Sequence, residues 1–317
     1  MLAELKPRRS VNRALPEGIV ASPVTPFAHT GDLQLDRIGP HIDWLIEERV
    51  DGLSPLGSSG EFAAMEVCER QRVLDTVLEA NNGRVPVWAG THHYSTRFTI
   101  ELSKHAEAAG ADALLIVPPY YMAPTTRQTM DHYRRVADAV GLPIVVYHNL
   151  PLTNIDLKTE HLLALFREGA VAGVKMSNPE PDRICRLLQE SECKLRVYCG
   201  IDSVAFEGLC HGAHGWISGI PSIVPRAARR LYESIAVNSD LPSAREQWRT
   251  LSQLMRLEFG AYSTGREGAH WFSVMKAALN MIGPAVGDPE PPVQPLETED
   301  RMALARILRQ LGYEVRA

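Results

Sequence analysis

Eight short apolar runs rich in β-branched residues, each followed by a longer amphipathic stretch, constrain this chain more than any other feature. The runs cover residues 18–25, 52–56, 85–90, 113–117, 144–147, 171–175, 195–199 and 215–218. The stretches between them, over 35–48, 66–80, 97–109, 126–140, 158–166, 182–188 and 203–209, with another at 225–237, repeat their apolar positions at helical spacing. Strands that alternate with helices pair in parallel, because a parallel neighbour needs a crossover and a helix supplies it. Eight nearly regular units predict an α/β fold of the closed (β/α)8 TIM-barrel kind rather than an open doubly wound sheet. Glycines in "AAGADA" (108–113) and "AVGLPIVV" (139–146) stand where a helix stops ahead of a strand.

This reading divides the chain into an N-terminal extension (1–15), a catalytic barrel (16–238) and a C-terminal helical region (239–317), the last with helical patterns near 243–258, 268–282 and 297–311. Between the last two patterns, "GDPEPPVQP" is too rich in proline for helix or sheet interior. The 317 residues, 45% hydrophobic and 22% charged, leave room for a large core. A net charge of -5 supplies no basic field for nucleic acid or anionic lipid. No apolar run approaches the ~18 residues of a membrane helix, and the basic start has no apolar segment behind it. A soluble cytoplasmic protein with neither nucleic acid nor membrane as partner is expected. The five cysteines are odd in number and include no CxxC pair, while His92–His93 and Cys210–His211 lack the spacing that converges two ligands on one ion. No metal is expected.

In a parallel barrel all strands point one way, so the loops after them form one rim on which chemistry collects. Strand 2 ends in "LGSSGE" (56–61), strand 4 in "VPPYYMAP" (117–124), strand 5 in "VVYHNLP" (145–151), strand 6 in "GVKMSN" (173–178), strand 7 in "CGID" (199–202) and strand 8 in "WISG" (216–219). Only six of the 33 basic residues are lysines, so Lys175 at the end of an apolar strand stands out. Tyr147 closes the neighbouring strand, about 5 Å away. An amine among apolar groups is held closer to its uncharged, nucleophilic form and can attack a carbonyl carbon, and a phenol beside it can shuttle protons. Each residue also has a plain structural reading: a snorkelling or salt-bridged lysine, a core tyrosine, Ser59 capping the next helix, a stiffened loop at "PPYY". Their joint placement on one rim favours chemistry.

Together these residues resemble the dihydrodipicolinate synthase and N-acetylneuraminate lyase family of Schiff-base aldolases, from "GIVASPVTPF" (18–27) through "VMKAALNMIG" (274–283) to the last helix. The resemblance implies that Lys175 forms an imine with pyruvate or another 2-oxo acid, needing no other cofactor, and that Tyr147 transfers protons. It implies that Ser58 belongs to a proton relay, that Ser59, beside Gly57, holds the substrate carboxylate, and that Tyr121 reaches in from a neighbouring subunit. Ile217 would pack on the pyruvyl group, with Gly200 and Asp202 lining the site, in a homotetramer or homodimer. Synthases of the family carry an arginine five residues after the tyrosine to grip the aldehyde's carboxylate; here that position is Leu152. Neuraminate lyases place an acidic pair after the strand 7 glycine; here Asp202 is followed by Ser203, and His148 stands where asparagine is common. The first half of the reaction is therefore expected intact and the second substrate different, such as a 2-keto-3-deoxy sugar acid or a related hydroxy-oxo acid. Dehydration through the same imine, true 4-hydroxy-tetrahydrodipicolinate synthesis and non-catalytic binding of an oxo acid are the alternatives. A phosphate-binding isomerase would want glycine-rich turns after strands 7 and 8, which "CGID" and "WISG" do not offer.

Overall fold

A computed structural model describes residues 14–260 and 268–316. Eight strands alternate with helices along the chain in the (β/α)8 order: β1 (Gly18–Ala21), β2 (Gly52–Leu53), β3 (Trp88–Gly90), β4 (Ala113–Ile116), β5 (Ile144–His148), β6 (Gly173–Met176), β7 (Arg196–Cys199) and β8 (Gly215–Trp216). Every strand lies inside or within one residue of the run that predicted it. The helices of the last third, Leu241–Glu258, Trp271–Ile282 and Thr298–Gln310, occupy the three helical patterns read there. Two short helices, Leu150–Thr153 and Gly219–Ile223, were not legible, since one turn is too short to show a helical period. Among the described residues no helix is long and apolar enough to cross a membrane.

The chain forms two compact units that cut across the linear division read from the sequence. The first holds residues 14–17, 52–54 and 86–216, and therefore β2 to β8. Here β3 to β8 pair in parallel, each with the next, and a Leu53–Val87 bridge adds β2 to β3. Parallel strands covered by crossover helices are buried on both faces, which is why the runs at β4 and β5 read as unbroken apolar stretches. Ala14 and Leu15, at the end of the stretch read as an extension, are buried in this unit. The Trp88 indole donates to the Ala14 carbonyl at 2.6 Å and the Tyr198 hydroxyl to that of Pro16 at 2.9 Å.

The second unit holds residues 18–51, 55–85, 217–260 and 268–316. It contains β1, the helices Ile38–Glu47 and Val67–Asn81, and the C-terminal helices, whose shared core includes Leu251, Leu254, Val274, Leu279, Leu304 and Leu308. The Ser22 amide donates to Ser222 Oγ at 2.8 Å, and Arg229 pairs with Asp51 at 2.6 Å, so β1 and the segment before β2 are fastened to helices some 200 residues later. That closure groups β1 with the C-terminal helices.

Three of the buried histidines, His41, His132 and His148, are held neutral. Burial lowers His41 to about 3, with the Lys276 charge adding to it, and lowers His132 to about 4. His148 is lowered to about 4, by burial and then by the Arg183 charge. The ordinary value is 6.5, so between pH 6.5 and 4 the unfolded chain binds protons that the folded chain refuses, and stability rises with pH across that window. Denaturant midpoints measured from pH 7 to pH 4 are expected to fall steeply below pH 6.5, by up to on the order of 3 kcal/mol per histidine. His132→Gln should flatten the slope, and a profile level down to pH 4.5 would contradict the assignment.

Candidate active site

Tyr147 and Lys175 are register partners on β5 and β6. Paired residues of neighbouring strands point to the same face, so the ladder sets phenol and amine side by side. Lys175 Nζ lies 3.9 Å from the centre of the Tyr147 ring, and the two residues are 4% and 5% exposed. The Tyr147 ring meets His92 edge-on at 6.4 Å, and His92 Nδ1 is 3.1 Å from the Leu115 carbonyl. Lys175 has no carboxylate partner among the described residues; the aromatic face is what its ammonium meets. This removes the salt-bridge reading of the lysine.

Gly200, the residue after β7, explains how the lysine stem fits. A Cβ there would stand 2.7 Å from Lys175 Cγ and 2.1 Å from Ser177 Oγ, too close for any side chain. The Ser177 hydroxyl instead donates to the Gly200 carbonyl at 2.6 Å. Asp202 is fully buried and accepts from the Trp216 indole at 2.9 Å, which commits one of its oxygens to the end of β8. Leu152 stands on the short helix after β5 and is 45% exposed. Tyr121 is 91% exposed at a left-handed φ of 72°, so within this chain its phenol stands in solvent, away from the buried Tyr147–Lys175 pair.

In the second unit "GSSGE" makes a turn rather than a helix cap. Gly57 is extended and Ser58–Gly60 form a 3-10 turn, bracketed by left-handed Leu56 (φ 61°) and Glu61 (φ 52°). The Gly60 carbonyl accepts from Thr25 Oγ1 at 2.7 Å. The following helix starts at Val67 with Glu66 and Glu69 as a capping box, so Ser59 does not cap it. Ser59 is buried, and Ile217, directly after β8, is fully buried.

A charged cluster behind the end of β5 was missed in the sequence. Asp156 takes a two-pronged contact from Arg183, at 2.6 and 3.1 Å, and a further bond from Lys158. Arg183 also pairs with Glu180 at 2.6 Å. Fully buried His148 places Nε2 3.5 Å from Asp156 Oδ1. The Arg183 contact holds the Asp156 carboxyl well below the usual carboxylate range. His148 beside Tyr147 was the one visible signal; Asp156 and Arg183 read as ordinary surface charges. Among the described residues no three histidines, cysteines or carboxylates are grouped to hold a metal ion.

Comparison with known proteins places this geometry. The sequence pattern described as the dihydrodipicolinate synthetase family matches residues 15–311. An uncharacterized DapA-like lyase of Halobacterium salinarum is 33% identical over 93% of this chain and 94% of its own length. The 4-hydroxy-tetrahydrodipicolinate synthase of Methylobacterium radiotolerans is 31% identical over 94% of this chain and 96% of its own. A prophage protein of the dihydrodipicolinic acid synthase family from E. coli K12, solved with pyruvate, superposes with a TM-score of 0.86 at 29% identity, covering 95% of this chain and 100% of that one. With a match over nearly the whole length and eight strands alternating with helices in (β/α)8 order, the chain belongs to the dihydrodipicolinate synthetase family, a family of lyases.

Proposed function

We propose that the chain is a Schiff-base-forming carbon–carbon lyase, a class I aldolase, with Lys175 as nucleophile. The observation that carries this reading is a buried lysine without a carboxylate partner, laid across the ring of Tyr147. The Lys175 amine adds to the C2 carbonyl carbon of a 2-oxo acid, and loss of water leaves a protonated imine. In the cleavage direction a base takes the proton of the C4 hydroxyl. The C3–C4 electron pair then moves into the imine as an enamine, and an aldehyde departs. Protonation at C3 and hydrolysis release pyruvate and the free amine. Tyr147 is the proton carrier in reach of the nitrogen. Ser58 takes part in the relay and Ser59 holds the carboxylate, as the family resemblance implies, and the E. coli relative solved with pyruvate supports a 2-oxo acid as ligand.

The second half of the substrate is uncharged and hydroxylated, as in a 2-keto-3-deoxy sugar acid. Leu152 replaces the arginine clamp, and the two cations held at the end of the segment that carries it, Lys158 and Arg183, are both engaged by Asp156. Three residues past Lys175, the Asn178 carboxamide is 1% exposed with neither atom hydrogen-bonded, a neutral donor and acceptor suited to hydroxyls. The names of relatives such as the Methylobacterium protein favour a second reading, dihydrodipicolinate synthesis itself. Leu152 opposes it.

Borohydride with pyruvate is expected to add irreversible mass at Lys175 and nowhere else; an unmodified Lys175 at saturating pyruvate would sink the reading. Lys175→Ala should abolish trapping, while Tyr147→Phe should keep some trapping and lower kcat by about 10²–10⁴-fold. Steady-state rates with neutral and carboxylate-bearing aldehydes separate the two substrate readings. Leu152→Arg should raise kcat/KM for an aldehyde bearing a carboxylate by about tenfold or more and leave neutral aldehydes unaided, because charge-assisted pairs are worth roughly 1.5–3 kcal/mol. Equal activity of the unaltered enzyme on both classes would remove the case for a hydroxylated substrate. Exposed Tyr121 is expected to be covered by a second copy, so light scattering should find a dimer or tetramer, and Tyr121→Ala should weaken both assembly and turnover.

A further inference from the structure

Among the described residues two lysines are buried, and the second is Lys276. It lies on the helix Trp271–Ile282, and its Nζ pairs with Glu61 Oε1 at 2.7 Å. It also donates to the Asp288 carbonyl at 2.8 Å and sits 4.7 Å from the centre of the Phe27 ring. The other carboxylate oxygen, Glu61 Oε2, accepts from the Glu290 amide at 2.8 Å. Both side chains are shut off from water. Neither residue is placed in the imine chemistry above.

Glu61 is the last residue of "GSSGE" and adopts a left-handed conformation that side chains other than glycine rarely take. Leu56, before the motif, does the same. A turn bracketed by two unfavourable residues keeps its shape only where the surroundings over-determine it. On one side Thr25 holds the Gly60 carbonyl; on the other the Glu61 carboxylate is held by an ammonium and an amide. Against well-packed apolar groups a buried ion pair is poor stabilisation, and its best-attested use is to fix one arrangement among several.

We propose that the Glu61–Lys276 pair is a positioning clamp that sets the Ser58–Ser59 turn for the carboxylate of the 2-oxo acid. The functional part of this inference rests on the imine reading above; the positional part does not. Glu61→Gln keeps the side-chain shape and an acceptor for the Glu290 amide but removes the carboxylate paired with the ammonium. Lys276→Met removes the cation.

The test combines hydrogen exchange of the peptide covering 55–62 with the pyruvate dependence of borohydride trapping, in the full chain. In each single variant exchange in that peptide should quicken about tenfold or more while a peptide covering β5 is unchanged, as local opening without global loss requires. The half-saturating pyruvate concentration should rise about tenfold, with the limiting trapping rate within about threefold, and the double variant should be no worse than the worse single, as for two groups acting as one. Lys276→Arg, which keeps the charge, should restore half-saturation to within about threefold of the unaltered protein. Folded variants whose exchange and half-saturation stay within about twofold of the unaltered chain would overturn the clamp, as would an arginine variant no better than methionine. If Lys276→Met does not fold, Glu61→Gln decides by the same readings. Should the unaltered protein trap no pyruvate, the imine reading fails while the exchange result still decides whether the pair sets the turn.

Discussion

The register of β5 against β6 is the constraint on which the candidate site depends. Alternation along a strand has a period of two, so a slip of one residue would turn either Tyr147 or Lys175 away from the shared face. In the observed register they face each other, and the next pair, His148 and Met176, faces the opposite way. The same ladder therefore sets the amine on its ring and sends His148 toward Asp156 and Arg183. Gly200 completes the arrangement by leaving the space through which the lysine stem passes.

The two buried lysines show how surroundings separate structure from chemistry. Lys276 has a carboxylate at 2.7 Å, a carbonyl and an aromatic face. Lys175 has an aromatic face and, among the described residues, no carboxylate. An amine tied to a carboxylate and a carbonyl is committed as an anchor; an amine laid on a ring keeps its nitrogen within reach of an incoming carbonyl. The contrast is internal to one protein, with one solvent and one fold, so it does not rest on a general frequency for buried lysines.

Much of this was legible because it is local or periodic. Strand positions followed from apolar runs, helices from their spacing, and the Lys175–Tyr147 pairing from consecutive parallel strands with little freedom of register. The strands came out shorter than the runs at β1, β2 and β8, since apolar residues continue past the last ladder bond into buried loops, as Val24 and Leu56 do. What stayed hidden was made by contacts between residues far apart in sequence. Asp156 and Arg183 lie 27 positions apart and look like solvated charges until the fold joins them. Glu61 finds Lys276 across most of the chain. The two compact units were hidden for the same reason: β1 is assigned by its fastening to late helices, as in the Ser22–Ser222 bond, and no composition shift marks it.

The arrangement also separates what can vary from what cannot. Lys175 and Tyr147 sit on ladder positions, where any change of backbone would propagate through both strands. Leu152 sits on a single turn whose two ends are pinned independently. At the start the Thr153 hydroxyl donates to the Asn149 carbonyl at 2.7 Å; at the far end Asp156 is held by Arg183 and Lys158. A half-exposed side chain on a segment fixed at both ends can be exchanged without moving its neighbours, so its chemistry can change while the Tyr147–Lys175 pair stays in place. The Asp156 cluster contributes to this by holding the segment's geometry while engaging both Lys158 and Arg183. On the proposed aldolase reading, discrimination between aldehydes rests on a side chain that the fold itself does not need.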